Sequence, residues 1–315
     1  MKYTYFYKNY YHKVEELSVL ADYDVFISSF VNSQRVIEPA EKIPSKHKVW
    51  FATHEEEGHP YLSGKDVTLI LPNDDYITIA KKIKELQLLG KNICMDATGF
   101  RIPYLLFIIR LMHSLQVKQF DVIYTEPTQY RCAENTIFSD QFYEVKQVLG
   151  LSGSHTSKTD NDLLIIAAGY DNSRIVDVAN KKKDCTKKVL LFGFPAISPG
   201  MFQENILRAY DAEYAIGTEC FKDMDSNLYA PAYDPFVTAQ VIKRYIEKQD
   251  KYKRLTNIYL APLSTKPHAI GMALYYMWDQ KNHSNVSLIY PFCKNYIVDN
   301  SDGIARIWRY QLELP

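Results

Sequence analysis

Asn92-Ile93-Cys94-Met95-Asp96-Ala97-Thr98-Gly99-Phe100-Arg101-Ile102-Pro103 is the stretch on which the reading of this chain turns. Residues 92–95 read as a short buried strand, and Pro103–Leu115 as an apolar helix whose proline suits a first turn. Phe120-Asp121-Val122-Ile123-Tyr124 follows as a second strand. Upstream, Asp24-Val25-Phe26-Ile27 ends in Ser28-Ser29, and Lys48–Ala52 and Val67–Leu71 are further apolar runs. Ile77, Ala80, Ile83 and Leu86 fall on one face of a helix spanning Ile77–Leu89, with lysines opposite. Strands alternating with helices predict βαβ crossovers, an α/β class and a mainly parallel sheet.

The second half repeats this order. Phe30–Val36 answers to Tyr170–Val176, Asp75–Thr78 to Asp234–Thr238, and Asn92-Ile93 to Asn257-Ile258. Arg101 answers to Lys266, and Ile123-Tyr124 to Ile289-Tyr290. The offset only grows, from about 140 to about 166 residues, as insertions in a second copy would make it. These matches predict two tandem units related by internal duplication: residues 1–150, a polar Ser/Thr-rich linker at 151–161, and residues 162–315. The second unit carries an inserted helix near 198–209, opened by Ser198-Pro199-Gly200. Phe142–Val148 and Arg306–Leu312 are aromatic-rich strand candidates, expected to close one sheet each.

Composition narrows the function classes. Lys+Arg and Asp+Glu both number 37, so the chain lacks the positive excess on which duplex nucleic-acid binding relies. The five cysteines (94, 132, 185, 220 and 293) are scattered without a CxxC pair, which excludes a cysteine zinc site of the usual spacing. Metal binding has no support, since the HxxxxH of His54 and His59 is not a ligand spacing. The opening Met1-Lys2-Tyr3-Thr4-Tyr5 is not a signal-peptide pattern, and no apolar run is long enough to span a bilayer. A soluble, cytoplasmic protein with no membrane contact is expected.

In open parallel sheets ligands bind beyond the carboxyl ends of strands, beside helix amino termini that favour anions. The polar interruptions of the apolar pattern fall there. After the first strand of each half come Asn32 and Arg35, and Asn172 and Arg174. An arginine in a first helical turn is on the wrong end of the helix dipole, which is understandable if it faces an anion or a carboxylate. The loops 96–103 and Pro262-Leu263-Ser264-Thr265-Lys266-Pro267-His268 each combine a hydroxyl, a basic side chain and an early proline. Thr98, Gly99 and Arg101, and Ser264, Thr265, Lys266 and His268, thus form two candidate anion cradles. Neither is a Walker loop, and no GxGxxG fingerprint occurs. Asp96 and Glu126 sit at strand ends of the first half only, a candidate acid–base pair whose alternative is ion pairing with Arg101 or Arg131.

A strand followed by the Thr98-Gly99-Phe100-Arg101 loop and an apolar helix resembles the ligand loop of CARF domains, Rossmann-like sensors of cyclic oligoadenylates in CRISPR-associated proteins. Two such units in one chain are similar to the SAVED domain of bacterial anti-phage signalling. At residue level Thr98-Gly99-Arg101 and Thr265-Lys266 carry the likeness; the second loop departs from it in having no glycine. A shorter likeness competes: Tyr23-Asp24-Val25-Phe26-Ile27-Ser28 resembles the opening strand of TIR domains, whose enzymatic members cleave NAD with a glutamate, here one of Glu55, Glu56 or Glu57. The first resemblance implies two Rossmann-like units and a nucleotide-binding, cyclic-oligonucleotide-sensing protein of a prokaryotic defence system, acting through a protein effector or self-assembly. The alternatives are a hydrolase or glycosidase acting on a nucleotide such as NAD, and a structural subunit that works through a protein partner. No cofactor is indicated.

Overall fold

The structure is a computed structural model of the 315-residue chain. It describes residues 3, 6–71, 75–130, 139–222, 226–279, 282–296 and 301–315, with only the backbone at 139–143 and 294–296. The first part runs β1 (Lys8–Tyr11), β2 (Tyr23–Ser29), α1 (Gln34–Lys42), β3 (Ser45–Thr53), β4 (Asp66–Ile70), α2 (Asp75–Glu85) and β5 (Ile93–Asp96). It continues through α3 (Ile102–Ser114), β6 (Gln119–Glu126) and the short β7 (Gln129–Tyr130). Then come β8 (Ser139–Gln147), β9 (Leu163–Ala167), α4 (Asn172–Lys181), β10 (Lys187–Gly193), α5 (Met201–Tyr210), α6 (Glu213–Ile216) and α7 (Glu219–Lys222). β11 (Leu228–Ala230), α8 (Pro235–Tyr252), β12 (Ile258–Pro262), α9 (Lys266–Asp279) and β13 (Val286–Tyr296) follow, and β14 (Ser301–Asp302) and β15 (Arg306–Glu313) end the chain.

The α/β class and the mainly parallel sheets are as the apolar pattern predicts. β5 and β9 are buried at every position, the mark of strands covered on both faces. α3 buries Leu105, Leu106, Phe107, Ile108, Ile109 and Met112, each worth about 1.5–3 kcal/mol if fully withdrawn from water. The expected helix over Ile77–Leu89 stops at Glu85 instead. Gln87 adopts a left-handed backbone (φ 47°), which turns the chain while Leu86 and Leu88 still reach the core.

Two compact units result. One comprises Phe6–Arg131 with Ser301–Pro315, the other Met1–Tyr5 with Cys132–Asn300. The first holds a seven-stranded sheet ordered β1-β15-β6-β5-β2-β3-β4, and the second a six-stranded sheet ordered β11-β10-β9-β12-β13-β8. Strand for strand the orders correspond: β4-β3-β2-β5-β6 matches β11-β10-β9-β12-β13, each followed by an antiparallel neighbour. Strand order alone does not decide common descent, because doubly wound sheets share it.

The antiparallel neighbours are exchanged relative to the order in sequence. β15 pairs with β6, and β8 pairs with β13. The apolar pattern marks 142–148 and 306–312 as strands but says nothing of which sheet each joins. Charge does. Arg309 of β15 donates to Asp121 of β6 at 2.8 Å, and Arg306 and Trp308 donate to Glu126 at 2.8 and 2.7 Å. The 151–161 segment, read as a linker, is bonded along its length within the six-stranded unit. Ser154 N donates to Ser284 O, Thr156 N to Asn257 Oδ1, and Asn161 Nδ2 to Lys253 O and Arg254 O.

Removing one member of a buried pair strands the other. Asp121→Asn is therefore expected to lower stability by about 3–5 kcal/mol in urea denaturation. Glu219→Gln, in the exposed Lys222–Glu219 pair, should change it by less than about 1 kcal/mol.

Candidate functional site

Strand order reverses between β2 and β5 in one sheet and between β9 and β12 in the other, and crevices open at such switch points. In the seven-stranded unit the loop after β5 lies directly against the end of β2. A Cβ on Gly99 would stand 1.8 Å from Ser29 O. In the six-stranded unit the same contact exists with the glycine on the other side: a Cβ on Gly169, after β9, would stand 2.1 Å from Leu263 O. The glycine missing from the second loop is thus supplied by the facing segment. Both sites demand backbone-to-backbone approach, and either residue can provide it.

Polar side chains fix the first loop from within. Asp96, fully buried, accepts Ser28 Oγ–H at 3.0 Å and Thr98 N–H at 2.8 Å. The Thr98 hydroxyl accepts Thr125 N–H at 3.0 Å, tying the loop to the end of β6. Arg101 is the last residue before α3, which has no side-chain cap. Its charge lies near Glu56, whose carboxyl burial pushes up; bonds from Thr53 N–H and hydroxyl and the attraction of Arg101 draw it partly back. Next to this edge, Phe30 stacks on Tyr61 (centroids 5.6 Å apart, planes at 16°) and meets His59 at 4.8 Å.

The two early arginines act as struts from helix to strand. Arg35 of α1 donates Nη1–H to Thr125 O of β6 at 2.9 Å. Arg174 of α4 donates to the Tyr290 hydroxyl of β13 at 2.8 Å and lies 3.3 Å from Asp171 Oδ2. Among the described residues only the second pairs with an acid. Ser33 precedes α1 where Asp171 precedes α4. Arg35 Nε and Thr125 Oγ1 are buried and have no hydrogen-bond partner among the described residues.

The second cradle is more closed. Thr265 caps α9, its hydroxyl accepting His268 N–H at 3.3 Å and donating to Ala232 O. Lys266 and Ser264 are half-buried. His268, expected to meet a ligand, is fully buried with Nε2 at 3.1 Å from Pro231 O, and burial pushes its pKa down to about 4. α5 covers the end of β9: Asn205 donates to Ala168 O, and Arg208 donates to Tyr170 O at 3.0 Å.

The structure therefore brings Thr98, Gly99 and Arg101 to one strand end, as expected, but spends the Thr98 hydroxyl internally. Asn32 and Asn172 flank the first turns of α1 and α4, exposed and half-buried respectively. Asp96 and Glu126 are not open carboxylates: all four oxygens accept a bond, Glu126 pairs with Arg306 rather than Arg101, and Arg131 lies outside the described residues. Sequence reasoning missed Thr125, Glu56 as a partner of Arg101, and Asp171, although Asp171 lies three residues before Arg174, a spacing that pairs charges on a helix. No group of three His, Cys, Asp or Glu among the described residues could hold a metal ion, and no helix there is long and apolar enough to cross a membrane. No protein-family model and no curated protein matches the sequence.

Gly99→Ala and Gly169→Ala should each destabilise by more than about 2 kcal/mol, because a backbone must move. Gly64→Ala, with open space but φ +72°, should cost about 1 kcal/mol. Denaturant midpoints would separate the two cases. His268 has a folded pKa below its ordinary 6.5, so its contribution is complete above pH 6.5 and is lost as pH falls through about 4. Over that window wild type should lose about 3 kcal/mol more than His268→Gln in pH-dependent urea titrations.

Proposed function

We propose that this chain binds a phosphate-bearing nucleotide at the carboxyl end of its seven-stranded sheet, and that it works in the cytoplasm as a ligand sensor. One observation carries the reading. Arg35 Nε–H and the Thr125 hydroxyl are buried donors without partners among the described residues, one strand from the switch point. Buried donors left unpaired are costly, and an anion arriving there satisfies both. Arg101 and the uncapped start of α3 add positive potential at the same strand end. The likeness of the 98–101 loop to CARF and SAVED ligand loops narrows the class to a cyclic oligonucleotide signal of prokaryotic defence.

The two halves are unequal partners in this reading. Arg174 is already neutralised by Asp171, and α5 lies over the end of β9. We therefore assign one anion site per chain, not two. Hydrolysis of a nucleotide is the weaker alternative, because Asp96 and Glu126 have structural partners on every oxygen. Action through a protein partner has its own support in Leu207, Tyr210 and Tyr214, exposed together on α5 and α6.

Calorimetric titration with a cyclic oligoadenylate, with ATP as linear comparator, tests the assignment. A stoichiometry of one is expected, with affinity reduced about tenfold or more in Arg101→Ala and in Arg35→Lys. Lys266→Ala should leave it unchanged. Unaltered affinity in both arginine variants, with the fold intact by circular dichroism, would remove the site; conversion of either nucleotide to product would favour the enzyme.

A further inference from the structure

The amino ends of β10, β9 and β12 lie level in the six-stranded sheet, Leu163 pairing with Lys187 on one side and with Ile258 on the other. Three connections meet there: the turn from α4 into β10, the turn from α8 into β12, and the approach to β9. Lys187 N–H and the Thr186 hydroxyl donate to Asp162 O at 3.2 and 3.1 Å, and Asn161 Nδ2 donates to Lys253 O and Arg254 O. The α4–β10 connection brings Lys181, Lys182, Lys183, Lys187 and Lys188 to this edge, with Asp184 as its one acid.

A lysine run is ordinarily a solvated face balanced by nearby carboxylates. Here the other carboxylates of the edge are engaged elsewhere. Asp162 accepts from the Thr256 hydroxyl and from Asn257, and Asp160 pairs with Lys253 at 2.9 Å. Asp250 accepts Leu255 N–H and faces His283, and Glu247 lies 3.7 Å from Lys243. None of the five lysines, nor Lys248 on α8, forms an ion pair with a carboxylate among the described residues. Burial draws the Lys182 ammonium below the ordinary lysine range, and the charge of Lys181 adds to this against the attraction of Asp162.

An aromatic ring stands beside these charges. Lys187 Nζ donates to Gln249 Oε1, which sets the last turns of α8 next to the lysines. Tyr252 follows Gln249 by three residues and Lys248 by four, on the same helix face. It is 79% exposed and makes no ring contact among the described residues. Unpaired lysines around an exposed ring are what a single strand needs: cations for its phosphates and a face on which an unpaired base stacks.

We propose that this edge binds single-stranded nucleic acid, with phosphates on Lys181, Lys183 and Lys248 and a base on Tyr252. A duplex offers no free base face, and a chain of zero net charge lacks the long-range pull toward one. The inference is independent of the nucleotide site.

Fluorescence anisotropy of the full chain with a labelled oligothymidylate of about 20 nucleotides tests it, with a duplex of equal length and phosphatidylserine vesicles as competitors. Binding should weaken with salt at a logarithmic slope of about −2, as three phosphate contacts give. Lys181→Ala/Lys183→Ala should weaken it about tenfold at low salt and make the slope shallower by about 1.4. Tyr252→Ala should weaken it about fivefold or more with the slope unchanged, and Arg101→Ala should alter neither. These lysines and Tyr252 are exposed, so their replacement leaves the fold intact, which circular dichroism checks. No saturable binding at low salt, or unchanged affinity in the lysine variant, would overturn the site. Wild-type affinity in Tyr252→Ala, or stronger competition by duplex or vesicles than by unlabelled strand, would overturn the single-strand assignment.

Discussion

The contact of two backbones at the switch point governs the rest of each unit. Where Gly99 meets Ser29 O, and Gly169 meets Leu263 O, no side chain fits between loop and strand end. This closeness places the first turns of α3 and α9 over the sheet and lets short polar side chains bridge adjacent strands. Ser28, Asp96, Thr98 and Thr125 form such a chain across β2, β5 and β6. The hydroxyl and carboxylate that look like ligand groups in the sequence are thereby consumed in holding the loop. What remains at this strand end is the half-buried Arg101 and, on α1 and β6, two buried donors without partners among the described residues.

Charge compensation then separates the two halves. Both place an arginine in the first turn of the helix after the first strand, and both arginines reach the strand that follows α3 or α9. Asp171, Tyr290 and Cys293 surround Arg174. Arg35 has a carbonyl on one nitrogen and nothing comparable on Nε among the described residues. Burying an uncompensated guanidinium nitrogen costs stability unless another group arrives. The same fold thus yields one completed strut and one whose Nε has no partner among the described residues.

Much of this architecture was legible from period and punctuation. β2, β3, β4, β5 and β6 lie where apolar runs bounded by polar residues place them, and α3 begins one residue before Pro103. The helix expected near 198–209 is α5, which follows Gly200, whose φ of 86° opens it. The site was only partly legible. A sequence shows that Thr98, Thr265 and His268 can bind something, but not that backbone groups of Thr125, Ala232 and Pro231 already bind them. Asn205 and Arg208 on the carbonyls after β9 are as hidden, because backbone acceptors carry no residue identity.

The unequal share of acids between the halves has its explanation in strand choice. β6 and β13 correspond, but β6 presents Asp121 and Glu126 where β13 presents Ser287 and Phe292. β15 brings Arg306 and Arg309, and β8 brings Lys146 over the Phe292 ring at 4.9 Å and Gln147 to Ser287 Oγ at 3.3 Å. If each strand closed the sheet nearer in sequence, Arg306 and Arg309 would face a ring and a hydroxyl, and Asp121 and Glu126 would lose their cations. Each buried charge left alone costs about 3–5 kcal/mol, far above the few tenths to about 1 kcal/mol by which cross-strand apolar pairs differ. Apolar alternation makes either edge strand acceptable to either sheet; the carboxylates make only one assignment affordable. Asp121 and Glu126 need no catalytic role to account for their place in the sequence.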